Sequence, residues 1–152
     1  KGRRPSREKL LRERTPDIRC ILQTDMNGYV GNIEKETLEN VNFRKVLYTG
    51  QHAQLVVMHL NPLEDIGLET HEIVDQFIRI EKGDANLTLG EATHEVHEGD
   101  AFIIPAGTAH NVTNTSSNNP VKIYTIYSPA HHKDMTMHKT KAEAEADHED
   151  HI

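Results

Sequence analysis

The sequence predicts an all-β fold, a sandwich or barrel of short antiparallel strands in one domain. Three observations predict it. Seven β-rich runs follow one another between residues 45 and 127. Gly, Pro, Asn and Asp turn signals separate them. No stretch between them is long enough for a crossover helix, which sets aside a parallel α/β fold. A length of 152 residues suits a single core of ordinary size.

The elements follow in order. Asn27-Gly28 is turn-like, and Ile33–Val41 is polar with weak helical spacing. The strands are then Lys45–Thr49, Gln54–Leu60, Gln76–Glu81, Ala85–Leu89, Ala101–Pro105, Ala109–Asn114 and Val121–Tyr127. Between them stand Thr49-Gly50, Asn61-Pro62, Lys82-Gly83-Asp84, Leu89-Gly90-Glu91, Glu98-Gly99-Asp100 and Ser117–Pro120. Period-two alternation puts Ile78 and Ile80 on the face of Gln76. It also puts Val121, Ile123, Thr125 and Tyr127 on one face of their strand. Residues 139–152 are rich in Ala, Glu and Lys with almost no apolar face, and predict a polar tail, helical or disordered.

Charge is unevenly spread. Residues 1–25 carry eight basic and four acidic side chains, whereas the rest of the chain carries nine and twenty. The basic stretch has no aromatic interleaving, so it is read as a disordered or appended extension ahead of Met26 rather than a nucleic-acid arm. A single cysteine, Cys20, excludes a disulfide framework and a Cys-cluster zinc site. No apolar run approaches the roughly 18 residues of a membrane span. No secretory leader is evident, and a cytoplasmic location is expected. There is no Ser/His/Asp order and no phosphate-binding loop.

The chemistry is concentrated in Gly99–Asn114, which reads G-x5-P-x-G-x2-H-x3-N. Gly99-Asp100 turns the chain into a strand, Pro105-Ala106-Gly107 turns it again, and His110 is delivered to the face of Val112 and Asn114. This stretch resembles the second signature of the cupin superfamily at every fixed position. The first signature, G-x5-H-x-H-x3-4-E-x6-G, is met by His71 and Gly83. Leu63 replaces its opening Gly, Glu69 its first His, and Gln76 its Glu. The resemblance covers roughly residues 43–130. It implies a double-stranded β-helix, or jelly roll, over residues 26–138, with the helix-prone polar tail beyond it.

The resemblance also implies a ligand set, here Glu69, His71, Gln76 and His110. Two imidazoles, one carboxylate and one amide oxygen suit a divalent ion such as iron, manganese, nickel or zinc. Glu69 and His71 are two apart and share a strand face. Gln76 lies an odd number of residues on, so a turn or bulge near Ile73–Asp75 must reset the register. Without a metal, Glu69 and His71 would form an acid/base pair.

The other histidines have plainer expectations. His59 is a half-buried structural residue and the reserve ligand, and His94 and His97 lie on opposite faces of a short strand in solvent. His131, His132 and His138 follow the barrel in P-x-H-H-x-D-x-T-x-H, a stretch that small cupins share, and are read as a strap over the barrel exterior or a dimer contact. His148 and His151 belong to the polar tail. The expected function is a small metal-binding cupin, a dioxygenase or isomerase acting on a small oxygenated molecule. The alternative is a non-catalytic cupin that binds a sugar or small acid. A homodimer through Val41–Thr49 or Ser128–His138 is expected.

Overall fold

The computed structural model describes residues 28–152, and the basic extension with Cys20 lies outside them. A helix α1 (Ile33–Glu39) is followed by β1 (Arg44–Thr49), β2 (Gln54–Leu60), β3 (Asp75–Lys82), β4 (Ala85–Leu89) and β5 (Ala92–Val96). Then come β6 (Ala101–Ile104), β7 (His110–Asn114), β8 (Val121–Ser128), β9 (Met137–His138) and α2 (Lys141–Ala146). All seven expected runs are strands. The larger sheet has six strands in the order β6-β3-β8-β2-β1-β9, and the smaller three in the order β5-β4-β7. Both are antiparallel. This is the double-stranded β-helix. Among the described residues no helix is long and apolar enough to cross a membrane.

Alternation builds the core as expected. Met58 and Leu60 of β2, Ile78 and Ile80 of β3, Leu87 of β4, Val112 of β7 and Ile123 of β8 are all buried in one cluster. Each such side chain is worth about 1.5–3 kcal/mol when fully buried. The helix α1 starts at Asn32, whose side chain accepts from the Lys35 amide. It packs on the outer faces of β2, β3 and β8, where the Lys122 ammonium donates to the Asn40 carbonyl.

The two turns that carry the signatures have physical reasons for their residues. Gly83 has φ 93°, and a Cβ there would lie 2.7 Å from the Pro120 carbonyl oxygen. Asn114 is a staple rather than a ligand. Its buried amide donates to the Asn61 and Asn119 carbonyls at 2.9 Å, and its oxygen accepts from the Ser116 amide.

Leu63, where the signature asks for Gly, sits at φ 62°. The left-handed region costs a non-glycine residue about 1–2 kcal/mol, against about 0.5–1 kcal/mol for the entropy of Gly. The Leu63 side chain is 66% exposed and adds little packing. Leu63→Gly is therefore expected to raise the melting temperature by about 2–4 °C, since about 1 kcal/mol moves a domain of this size by that much. A lower melting temperature in differential scanning calorimetry would count against relief of strain at this position.

Candidate metal site

A backbone pairing creates the site. Glu69 and His110 form an antiparallel bridge in which each amide donates to the other's carbonyl at 2.9 Å. Residues paired this way project to the same side of a sheet. His71 is two residues beyond Glu69 on the same extended segment. The turn at Pro105–Gly107 is pinned beside it, because the Gly107 amide donates to the His71 carbonyl and the Ala106 amide to the Asp75 carboxylate, each at 2.8 Å. Gly107 takes φ 78° to make that turn.

Glu69, His71 and His110 consequently offer one donor atom each within 4.8 Å of one another. Nδ1 of His110 lies 2.9 Å from the Thr108 carbonyl, which can only accept, so the ring proton is on Nδ1 and the Nε2 lone pair is free. Nε2 of both His71 and His110 is buried without a hydrogen-bond partner. The Glu69 carboxylate lies 3.4 Å from His71 Nε2 but out of line for a hydrogen bond. Burial works against its charge, yet His71 and Arg44 outweigh burial and hold the carboxyl below its ordinary value. Burial lowers His110, and His71 adds to that.

Gln76 stands on the opposing sheet. The chain bends at residues 72–73 before β3, which supplies the expected register reset. Gln76 is 1% exposed, its amide donates to Thr125 Oγ1 at 3.0 Å, and its Oε1 is buried without a partner. Its β8 neighbour Tyr127 places its ring 5.8 Å from that of His71. Burial raises the Tyr127 hydroxyl well above its ordinary value, so it keeps its proton.

Three expectations are corrected. The His131–His132 strap does not lie on the barrel exterior. Gln54 draws it in, donating to the His132 carbonyl at 2.6 Å and accepting from the amides of His131 and His132. The His131 ring rests 4.1 Å from the His71 ring. Burial and the neighbouring His71, His132 and His151 push His131 down to about 3, so it is a neutral imidazole. Nor is His151 simply a solvated tail residue, since its ring stacks on His131 at 4.5 Å. The cause is Asp150, whose buried carboxylate meets His132 Nδ1 at 2.6 Å and Arg44 at 3.5 Å. Arg44 also faces Glu69 at 3.8 Å. Neither Arg44 nor Asp150 stood out in the sequence, because no local pattern links a strand start to a charged tail. His138, read with the strap, is instead buried in β9 against β1, 3.1 Å from the Asp147 carboxylate. His59 is half-buried and pairs with Asn61, while His94 and His97 are exposed.

Glu69 also lines a cleft of about 260 Å³ beneath α2, together with Arg44, Ile66, Lys141, His148 and His151. Lys141 is tied across it to Asp65.

The family model for the cupin domain matches residues 56–127, the stretch that holds β3 to β7, most of β2 and β8, and all four expected ligands. The chain is a cupin. This cupin is 45% identical over 124 residues to the uncharacterized protein YrkC of Bacillus subtilis, covering 78% of this chain and 66% of that one. It is 49% identical over 107 residues to the uncharacterized protein L612 of Acanthamoeba polyphaga mimivirus, covering 68% of this chain and 67% of that one. The cupin thus spans about two thirds of the length of each of these relatives. The crystal structure of BH2720 from Bacillus halodurans is similar, with 46% identity, a TM-score of 0.76 and coverage of 78% of this chain and 93% of that one.

Proposed function

We propose that this cupin is a metal-dependent enzyme in which Glu69, His71 and His110, with Gln76 from the opposing sheet, hold one divalent ion. The observation that carries this reading is the convergence of unpartnered donors. Two imidazole nitrogens are buried with no hydrogen-bond partner beside an ionised carboxylate, and an amide oxygen is unpartnered on the facing sheet. Buried polar atoms without partners are costly, and a cation would satisfy these. The mixed nitrogen and oxygen set fits iron, manganese, nickel or zinc. When bound, such an ion supplies Lewis-acid polarisation or oxygen activation, the chemistry of a dioxygenase or isomerase.

The residues of the chain do the rest. Thr108 fixes the tautomer of His110, and Thr125 fixes the orientation of Gln76. His71, and after it Arg44, hold the Glu69 carboxyl below its ordinary value. The His131 ring covers His71, and the cleft of about 260 Å³ beside Glu69 suits a small substrate.

His71→Ala and His110→Ala are each expected to remove the ion from this group. Elemental analysis of protein purified without chelator or metal resin measures it. Undiminished metal content in both variants would overturn the reading.

A further inference from the structure

Three more imidazoles meet beside the site already described. His131, His132 and His151 each offer a ring nitrogen, and these lie within 4.8 Å of one another. The arrangement rests on a second antiparallel bridge, between His132 and His151. The Ile152 amide donates to the His131 carbonyl at 3.1 Å, and the Lys133 amide to the Asp150 carbonyl at 2.7 Å. Two short stretches far apart in sequence are thus held edge to edge by their backbones.

The ring chemistry is that of ligands. A carboxylate oxygen of Asp150 accepts from Nδ1 of His132 at 2.6 Å, which leaves the lone pair on Nε2. That Nε2 is buried without a partner, on a side chain 1% exposed. A carboxylate behind an imidazole orients the ring and raises its basicity toward a metal. The nearby Arg44 charge is opposed by both Glu69 and Asp150, so the surroundings carry more negative than positive charge. Ordinary packing does not require three histidines to converge with a buried, unpartnered nitrogen among them.

We propose that His131, His132 and His151 form a second divalent-metal site, separate from the Glu69, His71 and His110 group. Three imidazoles favour zinc, copper or nickel over magnesium or calcium. Three ligands also leave coordination positions for water or a substrate oxygen. His131 stands 4.1 Å from His71, and Glu69 and His151 line the same cleft. A small oxygen-bearing molecule in that cleft would therefore meet both groups.

The test is equilibrium dialysis of the metal-free full chain against zinc, followed by elemental analysis. The expected result is two zinc ions per chain in the wild type and one in His151→Ala. His151 is exposed, so this variant should keep its fold, and far-UV circular dichroism checks that it does. His151→Cys supplies another zinc donor and should retain two ions. His110→Ala should also hold one ion, and the double variant His110→Ala with His151→Ala none. Two ions in His151→Ala would overturn the second site, as would no zinc in the wild type. A single wild-type ion lost in His110→Ala alone would overturn it while leaving the Glu69 site standing. A single ion lost in His151→Ala alone would support the second site and sink the reading of the first.

Discussion

Arg44→Met lowers the stability of this cupin by about 3–5 kcal/mol, the usual result of removing one member of a buried ionic cluster. The Arg44 side chain is 4% exposed and faces Glu69 and Asp150, and the Asp150 side chain is 1% exposed. Met fills the volume but leaves a carboxylate buried beside His132 alone. Asp150→Asn in the Arg44→Met background restores part of the loss, because the orphaned charge is gone. The sign with pH follows from Asp150. Burial works to raise its carboxyl, but His132 and Arg44 outweigh burial and hold it well below its ordinary value. Its contribution is complete above about pH 4, the unfolded value, and is lost as pH falls through the depressed folded value. The gap between variant and wild type therefore narrows in acid. Urea denaturation at neutral and acid pH measures both effects. A loss below about 1 kcal/mol at neutral pH would mean that water reaches Asp150 and screens it.

The second large effect concerns affinity. Glu69→His together with Gln76→Glu gives the ligand set to which the first cupin signature points. Thr125, whose hydroxyl now accepts from Gln76, can donate to a carboxylate at residue 76. Arg44 keeps Asp150 as its partner. The double variant is expected to bind zinc or nickel at least about tenfold more tightly, about 1.4 kcal/mol, in competition with a chromophoric chelator. Unchanged affinity would show that neither residue is a ligand. It would redirect attention to His131, which the structure places against His71 where the sequence offered His59 as the reserve.

What could be read from the sequence was local. Alternation of Gln76, Ile78 and Ile80 exposed the inner face of β3, and the run from Pro105 to His110 announced a turn delivering an imidazole. Strand ends were set by Gly and Pro. The rest depends on contacts between distant segments. β9 is two residues long and exists because β1 offers it an edge, so no periodicity could mark it. Asp150 and His151 sit in a run that looks solvated by composition. Asp150 is buried against Arg44 and His132, and His151 stacks on a strap that Gln54 holds; in sequence Arg44 and Gln54 are an ordinary strand start and an ordinary polar residue. Leu63 is legible only in part, since the signature marks the position but not the backbone angle there.

The four expected ligands come from both walls of the sandwich. His110 belongs to the smaller sheet, Glu69 is bridged to it with His71 two residues on, and Gln76 belongs to the larger, with the apolar core between the sheets. The core therefore acts as the spacer of a two-jawed vice. Shortening a side chain such as Ile78 or Val112, which touches no ligand chemistry, lets the jaws approach or rock. On the proposed reading, ion size and ion choice are then properties of the barrel's hydrocarbon packing as much as of its donors, and selection on either would be felt by the other.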